Sequence, residues 1–440
     1  MKQYLFVLLF ISAASVPTAA LGDEPAETLS KDELAGFRCR ILATTNQHLD
    51  QVIKPDGKVV ELKGKTGDGM TALAFQLMHE MTGDPRYGAA ALELADRIVA
   101  DMRATKHGVL FIKEKDKDGE TIDGGGPPAF GWYASAAGYI LHKNGGRKDD
   151  LRYLATVADN FPWNAEGWWA NTIDIETGLP KAPLSKPGAI NKNAGMALAA
   201  GMLAECVQEI DPPLSARLRA KADKCVYGQI IPNQEPDGFW HYGLKVTDPK
   251  NKDILGYFMV TTEALIGLRH FAPAQRQPAL DTALGKAFAF ARKEIAPMTD
   301  PNKGPASHRR TSSTPEHFTL STDPKQGFEL GMILIAGGQQ REGMKIIDHW
   351  LKNFPIGDTG QDGAKAVDCF AHMLVQLPRV RIALAGDSTV TDTAGWGYGF
   401  KQRLRPDVRC ENFAGGGQSS RAFAIRASGS KRSRRNRTMC

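Results

Sequence analysis

With 440 residues, 42% of them hydrophobic and 24% charged, the chain has the composition of a globular protein, long enough for one large domain or two to three ordinary ones, and disorder is excluded as its default state. The formal charge of +6 is matched by six basic residues near the end, Arg426, Lys431, Arg432, Arg434, Arg435 and Arg437, in a stretch (426–440) without an acid. The rest is balanced, which argues against a nucleic-acid partner and sets the basic tail apart as a low-complexity run.

Residues 1–22 read as a secretory signal. Lys2 precedes an apolar core from Tyr4 to Ile11, and small residues at Thr18-Ala19-Ala20 and Ala20-Leu21-Gly22 suit a peptidase acting after Ala20 or Gly22. No later run has the length of a membrane span, so the expectation is a secreted or periplasmic protein that spans no membrane once its signal is cleaved. The six cysteines (Cys39, Cys206, Cys225, Cys369, Cys410 and Cys440) show neither C-x-x-C nor zinc spacing, and His79-Glu80 lacks the second histidine of H-E-x-x-H. No metal and no cofactor are expected. Cys206 and Cys225 fall on neighbouring predicted helices, where they form either a disulfide or two buried thiols.

From 23 to 377 the pattern is helical, with Gly, Pro and aromatic connections. The pairs run near Met70 to Thr82 with Tyr87 to Thr105, Phe130 to Lys143 with Asp149 to Asn160, and Asn191 to Ile210 with Pro213 to Gln229. Gly256 to Phe271 with Gln275 to Ile295, and Gln326 to Gly338 with Gln340 to Phe354, follow. A first helix, Lys31 to Ile53, and a last, Gly360 to Leu377, are left to close on each other. The first member of each pair is rich in small residues, as in Ala194-Gly195-Met196-Ala197-Leu198-Ala199-Ala200-Gly201. The second carries more charge, as in Leu214 to Lys224. Small faces suit an inner ring and charged ones an outer ring that meets water. This arrangement resembles the (α/α)6 toroid of polysaccharide lyases, unsaturated glucuronyl hydrolases and terpenoid cyclases; an open helical solenoid is the competing architecture.

In such a ring the loops before the inner helices converge on one mouth, and here they are aromatic and acidic. Asp123 begins a run through Phe130, Trp132 and Tyr133; Trp163, Glu166, Trp168 and Trp169 follow; then come Asp237, Phe239, Trp240, His241 and Tyr242. Aromatic faces stack on sugar rings while carboxylates and amides bind hydroxyls, so Trp132, Trp168, Asp237, Trp240, His241 and Tyr242 are the candidate substrate-binding residues. The same aromatics equally serve as packing for a large helical domain. For chemistry, Asp237, His241 and Tyr242 are candidate acids and bases, with Asn191 or Asn193 neutralising a substrate carboxylate as in a lyase. Asp123 with Asp237 is the alternative, a glycosidase pair.

Residues 378–425 carry the most specific pattern. A strand-like run, Val380 to Ala385, leads to Gly386-Asp387-Ser388-Thr389. Gly395-Trp396-Gly397, Phe400, Asn412, Ala414, Gly416-Gly417, Ser419-Ser420-Arg421 and Phe423 follow. The set resembles the first two blocks of the SGNH (GDSL-like) hydrolases, nearest the rhamnogalacturonan acetylesterase branch. The resemblance implies a truncated α/β, flavodoxin-like fragment with Ser388 as nucleophile, Gly417 in the oxyanion hole and Asp387 orienting the turn. The Gly-x-Asn-Asp block and the Asp-x-x-His that would supply the base do not follow, so the triad is incomplete. The expectation is thus a mainly α protein with an acetylated, pectin-like polysaccharide as partner and ester hydrolysis as its chemistry. A lyase or glycosidase in the toroid is the alternative, and a non-catalytic glycan-binding module a third.

Overall fold

The computed structural model describes residues 29–62, 65–108, 112–115, 121–124, 134–145, 147–174, 177–181, 184, 189–243, 252–298, 309–311, 324–352, 356–359, 361–376, 381–384 and 409–412. Twelve α-helices are found among them: α1 (Lys31–Val52), α2 (Lys65–Thr82), α3 (Pro85–Arg103), α4 (Ser135–Lys143), α5 (Lys148–Asn160) and α6 (Ile190–Val207), then α7 (Pro212–Cys225), α8 (Leu255–Leu268), α9 (Gln277–Phe290), α10 (Pro324–Ala336), α11 (Gln340–Lys352) and α12 (Gln361–Gln376). Local sequence sets several starts. Ser30 and Glu33 form a reciprocal capping box at α1, and Asp84 and Asp211 cap α3 and α7 with proline in the first turn.

The even-numbered helices touch in order, α2 to α4, α6, α8, α10 and α12, and α12 returns to α2. The odd-numbered ones form an outer layer, α3 to α11 packing on the helix before them and α1 on α12. This closed double ring is the (α/α)6 toroid; the contact of α12 with α2 excludes an open solenoid. Four polar contacts latch the first hairpin to the last. Arg38 Nη1 donates to the Leu374 carbonyl at 3.0 Å, and His48 Nδ1 accepts the Gly357 N–H at 3.1 Å. The Arg40 guanidinium clasps Asp348 at 2.9 and 2.7 Å, and Arg341 reaches Glu33 at 2.6 Å. Inner and outer helices approach closely where glycines permit it: a Cβ on Gly331 would stand 2.4 Å from Ile347, and one on Gly343 2.7 Å from the Gly331 carbonyl.

Each inner helix is followed by an antiparallel outer one, so all inner N-termini and all outer C-termini lie on one face, the mouth. Short β-pieces decorate the connections there. β1 (Ile112–Lys115) pairs antiparallel with β2 (Thr121–Gly124) before α4, and β3 (Lys252–Ile254), entering α8, pairs antiparallel with β4 (Arg309–Thr311), on the way to α10. Beyond the ring, β5 (Arg381–Leu384) pairs in parallel with β6 (Arg409–Asn412), Leu384 opposite Asn412. That pair is all that is described of the expected α/β fragment; the signal segment 1–22 and the tail 426–440 lie outside the described residues. No described helix is long and apolar enough to cross a membrane.

Of the two alternatives for Cys206 and Cys225, the structure has the pair of buried free thiols. Because α6 and α7 are antiparallel, Cys225 lies level with Asn193, its Sγ 3.9 Å from Asn193 Oδ1. Cys206 is thirteen residues further along α6, about 20 Å away at the helical rise per residue.

Candidate functional site

Two loops that enter the ring build the described part of the mouth. In the first, the Asn164 carboxamide accepts the N–H groups of Gly167 and Trp168 (2.9 and 2.8 Å), a tight turn that drives Trp168 and Trp169 inward. Both are 1% exposed. The Trp169 ring tilts against Trp163 at 4.8 Å. Asn193 braces this loop, accepting the Trp169 N–H at 2.8 Å and donating to the Ala189 carbonyl at 3.1 Å. Asn191 differs: among the described residues its buried Oδ1 has no hydrogen-bond partner, and neither has the indole N–H of Trp169. Buried polar groups are normally satisfied, so an orphaned acceptor and donor at the mouth invite a ligand or water.

In the second loop Asp237 Oδ1 accepts the Phe239 N–H at 3.1 Å, and Gly238 takes a φ of +99° that presses its backbone against the Lys286 carbonyl of α9. Asp237 therefore shapes an exposed turn on the outer ring. Trp240 is buried, its indole donating to the Ile230 carbonyl at 3.0 Å, and Phe239 stacks on Phe258 at 5.5 Å. His241 and Tyr242 are half-buried. The His241 Nε2 lies 3.2 Å from Glu235, while Tyr242 packs on Tyr257 at 4.5 Å and accepts the Ile190 N–H through its carbonyl at 2.9 Å. Burial, then Tyr257, raises the Tyr242 phenol above its ordinary pKa, which keeps it a proton donor.

Trp168 and Trp240 are thus core residues that present no face to a sugar, whereas His241 and Tyr242 stand where a ligand can meet them. Trp132, Asp387, Ser388 and Gly417 lie outside the described residues. Asp123 is placed only as backbone, opposite Lys113 in the β1–β2 hairpin.

A further constellation lies deeper, on the ring axis. Along α6, Asn191, Gly195, Leu198 and Met202 share one face by helical spacing. Leu198 and Met202 line an axial cavity of ≈ 50 Å³, and a Cβ on Gly195 would project into open space. Glu263 of α8 and Asp368 and His372 of α12 line the same cavity. Behind them the buried Lys365 ammonium bridges Glu263 and Glu329, the latter at 3.1 Å. Burial opposes the charge on Lys365, but the two glutamates outweigh it and hold its pKa well above the ordinary value. The His372 Nε2 stands 3.4 Å from Asp368 Oδ1, and although burial disfavours the imidazolium, that carboxylate raises its pKa from 6.5.

Three carboxylates thus face one ammonium and one imidazole. A carboxylate and an imidazole on a cavity of this size can take a proton from water and return one, which is general acid–base chemistry. Among the described residues no group of three or more His, Cys, Asp and Glu is placed to hold a metal ion. The axial cluster escaped the sequence reading, although a signal existed: Glu263, Glu329 and Lys365 each interrupt an apolar helical run, and Lys365, Asp368 and His372 share a face at i, i+3 and i+7.

No protein-family model matches the sequence, and no curated protein matches it either, so the esterase-like resemblance of 378–425 gains no support from comparison. Solved structures do match. The cellobiose 2-epimerase from Bacillus thermoamylovorans B4167 superposes with a TM-score of 0.57 at 11% identity, covering 78% of this chain and 99% of its own. A sugar epimerase from a ruminal bacterium gives a TM-score of 0.56 at 10% identity, with 77% and 98% covered. At such identities the likeness speaks for the fold, and it establishes the toroid over most of the chain.

Proposed function

We propose that the toroid is a carbohydrate-active enzyme of the glycosidase type, with the sugar at the mouth and water in the axial cavity. The observation that carries this is the convergence of Glu263, Asp368 and His372 on one cavity inside a closed ring. A cavity of ≈ 50 Å³ holds a few waters, at about 10–15 Å³ each, and is too small for a sugar ring. The groups facing it therefore act on water. In this reading Glu263 or the Asp368–His372 pair takes the water proton as its oxygen adds to the anomeric carbon. Tyr242, on the rim, protonates the departing oxygen. Asn191 and the Tyr242–Tyr257 pair hold the sugar by hydrogen bonding and ring contact. The solved epimerases of the same fold, which by name act on sugars, are consistent with a saccharide ligand.

The test is release of reducing sugar or p-nitrophenol from a panel of neutral and uronate-terminated glycosides. Glu263→Gln and His372→Asn should each lower kcat by at least about 100-fold. Wild-type kcat in both variants would refute the assignment. A rise in ultraviolet absorbance from a new C=C bond, without uptake of water, would instead identify a lyase.

A second reading assigns ester hydrolysis to 378–425. It is supported by the Ser388 and Gly417 blocks and by the parallel β5–β6 pair, because parallel strands need a crossover and the connection here carries Asp387 and Ser388. Turnover of p-nitrophenyl acetate that survives Ser388→Ala would refute it. Export is part of both readings, and the N-terminal residue of the protein recovered outside the cytoplasm tests it.

A further inference from the structure

A second pocket lies on the mouth face but away from the axis, between the C-terminal ends of α3 and α5. Its volume is ≈ 590 Å³, within the range of about 300–1,000 Å³ typical of small-ligand sites. Phe161, Pro162 and Ile173 give it an apolar floor, and Arg103, Lys106, His107, Tyr153 and Asn160 supply polar edges. The walls are held by local bonds. Gly108, at φ +67°, turns the chain after α3, and a Cβ there would meet Val157 at 2.7 Å. On the opposite wall the Asp174 carboxylate accepts from the Thr177 N–H and hydroxyl at 2.9 Å each, and its carbonyl accepts the Gly178 N–H at 2.8 Å. Gly178, at φ +71°, comes so close to His107 that a Cβ would lie 2.8 Å from its Nδ1. Walls held by such bonds limit the ordering cost of binding.

Among the described residues that line the pocket, Arg103 and Lys106 are basic and none is Asp or Glu. The Arg103 guanidinium lies over the Tyr153 ring at 4.6 Å and is matched by Asp150 at 2.7 Å, which fixes it as a wall. Lys106, exposed on the rim, brings a cation to which no described acid is paired. An apolar floor beside amide, imidazole and phenol groups fits a sugar ring, and the lysine fits a carboxylate on it.

We propose that this pocket is a second saccharide-binding site, selective for an acidic sugar unit, which holds a polymer on the mouth face while another unit stands at the mouth above the axial cavity. The kind of ligand rests on the carbohydrate reading above; the place does not. The experiment is calorimetric titration of the full chain carrying Glu263→Gln, with a galacturonate tetramer and a neutral galactose tetramer as probes. The acidic tetramer should bind, Lys106→Glu should weaken it by about tenfold or more, and Lys106→Arg should restore it. The neutral tetramer should be indifferent to both changes. Equal affinity of the acidic tetramer for Lys106→Glu, or its displacement by equimolar inorganic phosphate, overturns the site. Undiminished turnover in Glu263→Gln would sink the catalytic reading alone, whereas lost turnover with no Lys106 effect would sink this one alone.

Discussion

Ring closure gives the protein a pH-dependent latch at His48. The imidazole is buried on α1 and accepts the Gly357 N–H through Nδ1, so the fold requires its neutral form. Burial lowers its pKa from 6.5 to about 4, against the opposing pull of Asp358. A depressed histidine pKa means that the unfolded chain binds the proton more readily. The stability it contributes is complete above 6.5 and is lost as pH falls through about 4. Between about pH 7 and about pH 5 the unfolded imidazole takes up its proton while the folded one stays mostly neutral, and linkage gives a loss of about 2 kcal/mol. His372 titrates with the opposite sign, since its folded pKa is raised, and must be cancelled. His48→Asn does this: the amide oxygen replaces Nδ1 as acceptor without titrating, and His372 is common to both proteins. Urea midpoints at the two pH values, with m held in common, should show wild type losing about 2 kcal/mol more than His48→Asn. Equal losses would refute the latch.

Removing the charge of Lys365 with Lys365→Met leaves Glu263 and Glu329 buried without their cation and should cost about 3–5 kcal/mol in calorimetric unfolding, part of it recovered by adding Glu263→Gln. An unchanged melting temperature would show that the bridge is not formed. Gly238→Ala forces a side chain into a φ of +99° with its Cβ 2.2 Å from the Lys286 carbonyl, so a loss of at least about 2 kcal/mol is expected; a melting temperature equal to wild type refutes that close approach. Burial pushes the Cys206 thiol up to about 12 and raises Cys225 as well. Neither should react with a thiol reagent in the folded protein, and both should react in urea. Resistance in urea without reductant would mean that they are bonded after all.

The helical frame was legible because packing imposes a composition. Inner helices such as α6 must bring neighbours close on both sides and are built of Ala and Gly, while α7 meets water on one side and carries Arg and Lys. The pairing of α1 with α12 followed from counting partners. The fourth helix is described from Ser135, and Phe130, where its sequence pattern begins, lies outside the described residues. The aromatic loops misled for a physical reason. An aromatic that stacks on a sugar and one that fills the space under a turn have the same identity and neighbours, and only the fold shows that Trp168 and Trp240 are sealed inside.

The two asparagines at the start of α6 were not separated by the sequence reading, yet spacing alone distinguishes them. At about 100° per residue, positions two apart point about 200° from one another. One must then face the axis and the other the outer layer. Leu198, seven residues beyond Asn191, lines the axial cavity and assigns Asn191 to the axis. Cys225 of α7, against Asn193, assigns that residue to the outer side. Their hydrogen bonding follows from this division: Asn193 is satisfied by the loop it braces, and Asn191 keeps an open acceptor. A polar residue is worth singling out as a ligand-binding group when helical phase places it on the face shared with a cavity. By that criterion Glu263, Asp368 and His372 form one site contributed by two helices not adjacent in the chain, and Asn191 lies on the face of α6 that Leu198 turns to the same cavity.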